Sequence, residues 1–390
     1  IDARGARRTR VDSTLVPLDP FRLRQDGRGD EQGRGDKAHR RAGEQPVKAD
    51  HRQQCRGEHR ADQAFHVIGE PGERQRPRIV PLFGQHVRDR RLEGRREGRR
   101  GGLEKEDEEV DLVMITTRHD LHAPMILKAL EAGKHVFVEK PLALNHLQLQ
   151  EIVNAYSSQK SFNNLTVSVG FNRRFSPHIK RIKDLLGNSS DPINITATMN
   201  AGYIPPNVWI HDLNTGGGRI IGEACHFLDL MVYLTGSKIE SVCMNALGKN
   251  PEENTDNASI LVRFENGSNG VINYFSNGNK AYSKERLEIY SQGRTLIMDN
   301  FRKTEGFGFK GFSKLKTRQD KGHKNQFEKL VRSLKEGGQP LISFDEILNV
   351  TLASFAAIES IKSKNWVNIG AFQLLEVSNK EYMSAESYSS

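Results

Sequence analysis

The chain has 390 residues, enough for two or three domains, and its hydrophobic fraction of 36% is low for a globular protein of this length. No apolar run of about 18 residues occurs, which excludes a membrane-spanning helix. The three cysteines, Cys55, Cys225 and Cys243, lie too far apart for a disulfide framework or a C-x-x-C metal site. With no signal-peptide pattern, we expect a reducing, cytoplasmic setting and no membrane partner.

The net charge of +9 comes entirely from the first hundred residues. They carry 25 Lys and Arg against 16 Asp and Glu, whereas the rest of the chain carries 33 of each. Of those 25 basic residues 23 are Arg, but beyond residue 100 there are 22 Lys and 11 Arg. This change in composition predicts a boundary near residue 103.

Residues 1–103 are rich in Arg and Gly and contain few apolar runs. Such a segment buries too little apolar surface to offset its ordering entropy, so we expect it to be mostly disordered. Only residues 78–87 could form a strand. A flexible tail, an unrelated sequence joined by fusion or a frame change, and an arm that binds nucleic acid are the alternatives. Interleaved acidic residues and scarce aromatic residues argue against nucleic acid as the partner.

From Glu104 onward, strands and helices alternate. Residues 110–117 form a nearly continuous apolar run, which is typical of a strand covered on both faces. A helix follows, with Gly133 as its C-terminal glycine, and His135–Val138 is the next strand. A further helix and strand continue this order to Phe171. The β-α-β pattern predicts a parallel sheet with crossover helices.

After Phe171 the pattern changes to antiparallel strands. Residues 193–199 alternate apolar and polar side chains, and residues 258–275 form a predicted hairpin around Asn266-Gly267. The last helix opens with a capping box, Ser343 to Glu346.

The fold class predicted is α/β, with a partial Rossmann parallel sheet and a C-terminal α+β domain built on a large, mainly antiparallel sheet. The predicted segments are 1–103, 104–170 for the Rossmann remnant, 171–365 for the substrate and oligomerisation domain, and 366–390 for a tail.

A charged pair ends the strand at His135–Val138. Glu139 and Lys140 follow it directly, and Pro141 comes next. Burying either charge alone is costly, and ligands in open α/β sheets bind beyond the carboxyl ends of the strands. The position makes Lys140 a candidate catalytic group, although a lysine on the surface at a strand end would fit as well.

Three motifs resemble those of the Gfo/Idh/MocA oxidoreductases, over roughly residues 104–364. They are GKHVFVEKPLAL from Gly133, VGFNRRFSP from Val169 and GGGRIIGEACHFLDL from Gly216. Members of this family are two-domain NAD(P)-dependent dehydrogenases of sugars, cyclitols and sugar nucleotides. The resemblance therefore implies hydride transfer at a secondary hydroxyl, with NAD or NADP as cofactor. The segment from Gly202 is similar to the branch associated with polysaccharide biosynthesis.

The resemblance also implies roles for individual residues. The positions that match cofactor contacts are Thr117, His119, His122, Glu139, Lys140 and Arg174. The positions that match catalytic groups are Lys140 and His226. The family's usual Asp, four residues before the His, is Gly222 here, so either Glu223 supplies the catalytic carboxylate or the site departs from the family mechanism. No metal site is expected.

The family's phosphate-binding fingerprint is missing from residues 1–103, where no G-x-G-x-x-G turn joins a strand to a helix. We therefore expect weak or absent NAD(P) binding and an uncovered apolar face on the remaining strands. A non-catalytic remnant and a nucleic-acid binder are the alternative functions. The expected partners are a sugar or sugar nucleotide and a second copy of the chain, paired through the C-terminal sheet.

Overall fold

The computed structural model describes residues 79–82, 110–187, 191–337 and 339–371, which all belong to one compact unit of the chain. The prediction of disorder for residues 1–103 lies outside the described residues except at 79–82. There the chain forms a strand, within the one stretch predicted to be able to do so. The expected tail from residue 366 is described only as far as residue 371.

The first sheet is parallel throughout, as the sequence predicts. Its four strands, in spatial order, are β1 (Ile79–Leu82), β2 (Leu112–Ile115), β3 (His135–Val138) and β4 (Val167–Val169). The helices between them are α1 (His122–Glu131) and α2 (His146–Asn163). The chain leaves α1 through Gly133 at φ +67°, a left-handed backbone conformation that glycine adopts without steric cost. The Asn145 side chain caps α2 by accepting a hydrogen bond from Gln148 N.

The second sheet has nine strands in the order β12-β11-β10-β9-β5-β8-β7-β6-β13. These strands are β5 (Asn194–Asn200), β6 (Ile239–Ala246), β7 (Asn257–Phe264), β8 (Asn269–Phe275), β9 (Glu285–Ser291), β10 (Arg294–Asp299), β11 (Lys303–Phe307), β12 (Lys314–Lys316) and β13 (Val367–Asn368). The helices of this part are α3 (Pro177–Leu186), α4 (Cys225–Thr235), α5 (His323–Lys335) and α6 (Phe344–Ser363).

The second sheet is antiparallel except where β5 runs parallel to β8. The predicted hairpin is confirmed, because β7 and β8 pair antiparallel around Gly267 at φ +82°. The capping box at α6 is confirmed in part, since Ser343 Oγ accepts a hydrogen bond from Glu346 N. Both sheets therefore agree with the predicted fold class. The predicted domain boundaries stay a prediction.

Helix α5 returns to the first sheet and covers the face opposite α1. Leu330 of this helix packs with Leu112 and Phe137 of the strands, which are no more than 1% exposed. The rings of Phe137 and Phe327 lie 4.9 Å apart. The expectation of an uncovered apolar face on these strands was therefore wrong, because a helix distant in sequence supplies the cover.

No helix in the described part of the chain is both long enough and apolar enough to cross a bilayer.

Candidate active site

Lys140 lies beyond the carboxyl end of β3, at the edge where ligands bind in such sheets. The bond from Lys140 to Pro141 is cis. The half-buried Lys140 has no hydrogen bond or ion pair within the described part of the chain. Its positive charge nevertheless affects the pKa of several neighbouring groups, which places it among them. These groups are His119, His122, Glu223, Cys225 and His226.

Glu139 packs against the backbone of the neighbouring strand end. A Cβ at Gly170 would lie only 2.7 Å from the Glu139 Oε2 atom. Gly170 follows β4, so glycine at this position leaves room for the Glu139 side chain between the ends of β3 and β4. Glu139 therefore faces the adjacent strand rather than open solvent.

His226 is the second residue of α4 and is 6% exposed. Burial lowers its pKa well below 6.5, and the positive charges of Arg173 and Lys140 lower it further. The imidazole is therefore neutral at neutral pH. Its Nδ1 atom is buried and has no hydrogen-bond partner in the described residues. The Phe171 ring, just after β4, lies edge-on with its centre 6.2 Å from that of the imidazole, so His226 meets the carboxyl edge of the first sheet.

Glu223 lies on a π-helical turn, Ile220–Ala224, directly before α4. Such turns are frequent at functional sites. Its carboxylate accepts hydrogen bonds from the Tyr274 hydroxyl and from Arg219 Nη2, the latter at 3.2 Å. Burial alone would raise the pKa of Glu223, but Arg219 and Lys140 outweigh burial and hold it at about 2. Glu223 is therefore an anion throughout the physiological range.

His119 connects the end of β2 to the segment that precedes α4. Its Nδ1 atom lies 2.8 Å from the Gly216 carbonyl oxygen, which can only accept, so this nitrogen carries the proton. The Trp209 ring meets the imidazole edge-on at 5.0 Å. Burial, followed by the charge of Lys140, lowers the pKa of His119 to about 3. This histidine is neutral and rigidly held beside Lys140.

The Gly216-Gly217-Gly218 stretch permits this close approach. A Cβ at Gly216 would lie 2.5 Å from the Ile210 backbone, and one at Gly217 would lie 2.6 Å from the Leu144 side chain. Gly217 and Gly218 also adopt φ +73°. Gly216 and Gly217 therefore permit close packing, and Gly217 and Gly218 permit a left-handed backbone.

His122 connects two loops inside the protein. It is fully buried, and its two ring nitrogens lie 2.7 and 3.2 Å from the carbonyl oxygens of Pro141 and Thr117. These contacts tie the loop after β2 to the loop after β3. Thr117 is half-buried, and its hydroxyl donates to the Arg118 carbonyl oxygen. The contacts of His122 favour a structural role over direct contact with a cofactor.

Arg174 has its guanidinium enclosed by carboxylates. Its Nη2 donates to Asp229 Oδ1 at 2.5 Å and its Nη1 donates to Glu346 Oε2 at 2.9 Å. The residue is 5% exposed, so these partners occupy it within the interior. The predicted cofactor contact at Arg174 has no support in this geometry, which brings Arg174 to α4 and α6.

The neighbouring Arg173 contributes to the site, although sequence analysis gave it no role. It forms a bidentate pair with Glu285 at 2.9 and 3.2 Å, and Lys321 Nζ donates to the same carboxylate at 2.5 Å. Arg173 and Lys321 both lower the pKa of His226. The adjacent arginines Arg173 and Arg174 marked this position in the sequence. The sequence does not show, however, which of the two faces the site.

The described residues fit only one end of a dinucleotide. Thr117, Glu139 and Lys140 follow β2 and β3 and could hold a nicotinamide at the carboxyl edge. A pyrophosphate needs a Gly-rich turn that leads from a strand into a helix N-terminus. None of the strand-to-helix turns in the described part of the first sheet has that composition. Among the described residues, no three His, Cys, Asp or Glu side chains are arranged to hold a metal ion.

Two family models match the chain in the order of the two sheets. The model described as "Oxidoreductase family, NAD-binding Rossmann fold" matches residues 103–171, and the model for the GFO/IDH/MocA C-terminal domain matches residues 187–297. Both matched stretches belong to the Gfo/Idh/MocA family of oxidoreductases. The resemblance seen in the sequence is thereby confirmed, as are the enzyme class and the family's cofactor, NAD.

Relatives and solved structures agree with this family. The chain is 26% identical to the myo-inositol 2-dehydrogenase of Thermotoga maritima, over 68% of this chain and 81% of the relative. It is 27% identical to the scyllo-inositol 2-dehydrogenase (NAD(+)) of Bacillus subtilis, over 70% and 84%. An oxidoreductase domain protein from Kribbella flavida superposes with a TM-score of 0.60 at 25% identity, covering 68% of this chain and 82% of that structure.

Proposed function

We propose that this Gfo/Idh/MocA oxidoreductase transfers a hydride between a nicotinamide cofactor and a secondary hydroxyl of a sugar, cyclitol or sugar nucleotide. The main support is the arrangement of Lys140 and His226. The ammonium lies at the carboxyl edge of the first sheet, without an ion-pair partner in the described residues, and within electrostatic reach of a neutral imidazole. Inositol dehydrogenases among the relatives support a polyhydroxylated substrate.

The proposed chemistry assigns a separate task to each charged group. Thr117, Glu139 and Lys140 would hold the nicotinamide, which would supply the hydride-transfer chemistry when bound. The neutral imidazole of His226 accepts the hydroxyl proton, while the Lys140 ammonium stabilises negative charge that develops on the oxygen. The Glu223 carboxylate already accepts hydrogen bonds from the Tyr274 hydroxyl and Arg219 Nη2, so we do not assign it that proton. It acts instead as a fixed negative charge beside Lys140.

The proposal extends to the setting and the partners of the protein. The similarity of the segment from Gly202 to its branch of the family supports a role in polysaccharide biosynthesis, with a sugar nucleotide as substrate. Cys225 and Cys243 are free thiols, which supports a cytoplasmic location. The exposed Leu261 on the outer face of the second sheet supports pairing of two copies through that face.

Replacing Lys140 with Met should test the catalytic assignment. We expect kcat/KM to fall at least about 100-fold, because the substitution removes the positive charge near the reacting oxygen. The measurement is the appearance of reduced nicotinamide absorbance with NAD or NADP and a panel of inositols, sugars and sugar nucleotides. Lys134→Met, on the same segment before β3, is the control and should retain the wild-type rate. Equal activity of the two variants would refute the role of Lys140.

A non-catalytic remnant is the second candidate, because the described residues lack a pyrophosphate-binding turn. We expect NAD to bind the full chain weakly or not at all when titrated by calorimetry. A tight complex would contradict this expectation and strengthen the enzymatic proposal. Absence of both NAD binding and hydride transfer across the panel would favour the remnant.

A further inference from the structure

The geometry around Gly222 leaves little room for a side chain at that position. A Cβ there would lie 3.0 Å from Cε1 and 3.4 Å from Nδ1 of the His119 ring. That ring cannot move aside easily, because the Gly216 carbonyl and the Trp209 ring hold it. The tight contact disfavours a carboxylate at position 222, and the carboxylate of this turn comes from the next residue, Glu223.

Two buried groups hold the Glu223 carboxylate. The Tyr274 hydroxyl, on β8, and Arg219 Nη2 both donate to Oε2 of Glu223. Tyr274 is completely buried and Arg219 is 2% exposed. Arg219 is itself anchored, because its Nη1 donates to the Gly202 carbonyl oxygen at 2.7 Å and its guanidinium lies 5.3 Å from the centre of the Tyr274 ring. The carboxylate thus has two donors that cannot turn away to solvent.

We propose that Tyr274 and Arg219 are positioning residues, which hold the Glu223 carboxylate in one orientation beside Lys140. This inference rests on the proposed function, in which Lys140 stabilises the developing oxyanion. The Lys140 ammonium lies at the end of a flexible side chain, so a fixed anion nearby can orient it. Glu223, held by Tyr274 and Arg219, is that anion. The carboxylate does not exchange protons in the reaction. Its role is to keep the Lys140 side chain oriented while His226 takes the proton.

The charged groups around Glu223 determine how much the hydrogen bonds from Tyr274 and Arg219 affect its ionisation. The groups that act on it or respond to it are Arg219, Lys140, Tyr274, Lys284, His119, Cys225 and, through Arg219, Asp256. Burial opposes ionisation of Glu223, whereas Arg219, Lys140 and the Tyr274 hydrogen bond favour it. Removing the Tyr274 hydroxyl should therefore raise the pKa of Glu223 and loosen its orientation.

Tyr274→Phe on the full chain is the test, because it removes the hydroxyl and keeps the buried ring. We expect kcat to fall about 10-fold, as for loss of a hydrogen bond to a charged group, with KM changing much less. The low-pH limit of kcat should move to higher pH. Tyr290→Phe is the matched control: Tyr290 also donates to a glutamate, Glu288 at 2.7 Å, but on the exposed outer face of the sheet. It should leave all these values unchanged.

A second readout does not depend on turnover. The Glu223 carboxylate can be titrated by NMR in protein labelled with 13C-glutamate, with Glu223→Gln used to assign its signal. Its midpoint should rise in Tyr274→Phe and stay constant in Tyr290→Phe. An unchanged midpoint, or a loss of thermal stability with unchanged kcat and pH profile, would overturn the inference. If the wild-type chain transfers no hydride, the proposed function fails, while the titration still decides whether Tyr274 holds Glu223.

Discussion

Glu285→Gln should lower the free energy of unfolding by about 3–5 kcal/mol, the usual cost of removing one partner of a buried ion pair. Glu285 is completely buried and its carboxylate is shared by Arg173 and Lys321. The amide keeps the shape but leaves two cations near the interior without a counter-charge. Urea unfolding monitored by tryptophan fluorescence would measure the difference.

Glu288→Gln is a matched control on the same strand. Its partner Arg286 is 36% exposed, and exposed pairs contribute only about 0–1 kcal/mol. The two variants should therefore differ by at least about 2 kcal/mol. Equal losses of stability would show that the Arg173–Glu285–Lys321 cluster is not the buried anchor that the contacts indicate.

The same cluster should make stability depend on pH in the acidic range. Burial alone would raise the pKa of Glu285, but Arg173 and Lys321 bring it down from 4.5 to about 2. A carboxyl group with a lowered folded-state pKa contributes stability above its unfolded value and loses it as the pH falls towards the folded value. The difference between wild type and Glu285→Gln should be full above about pH 4.5 and should shrink towards pH 2.

Gly322→Ala should be the second severe variant, with a loss of about 2–5 kcal/mol. Gly322 opens α5 at φ +91°, and a left-handed conformation costs an L-residue about 1–2 kcal/mol. A Cβ there would also lie 2.5 Å from backbone atoms of Asn172, Phe175 and Ser176, and overpacking of this kind costs about 1–3 kcal/mol. The contact joins α5 to the segment that carries Arg173.

Gly133→Ala separates these two contributions. Gly133 also has a positive φ, +67°, but a Cβ there would meet no atom within 4 Å. This variant should lose only the conformational part, about 1–2 kcal/mol. If thermal unfolding showed the same loss of stability for both variants, the close packing around Gly322 would not contribute to stability.

Much of the local structure could be predicted from the sequence, because it depends on neighbours along the chain. The apolar run before Glu139 predicted β3, Gly133 predicted the end of α1, and Asn266-Gly267 predicted the β7–β8 hairpin. The same local information placed Lys140 at a carboxyl strand end, whereas the resemblance to the family suggested Glu223 as the replacement carboxylate. Neither motif shows its contacts, however, and the catalytic roles of both residues stay proposals.

The long-range contacts could not be predicted in this way. Arg173 and Arg174 are adjacent and identical in type, yet one pairs with Glu285 on β9 and the other with Asp229 and Glu346 on two helices. Which arginine faces the site depends on the turn of the chain after Phe171. His119 and His122 are only three residues apart, yet one lies beside Lys140 and the other contacts two carbonyl oxygens inside the protein.

The sequence by itself determined the order of strands and helices, the position of Lys140 at the edge of a parallel sheet and the family. Only the tertiary structure decided that Tyr274 and Arg219 clamp Glu223, that Glu285 joins Arg173 to Lys321, and that α5 covers the first sheet. The physical reason is the range of the interactions. Turn and periodicity signals arise within a few residues, whereas these ion pairs and packing contacts join segments brought together only by the sheet order.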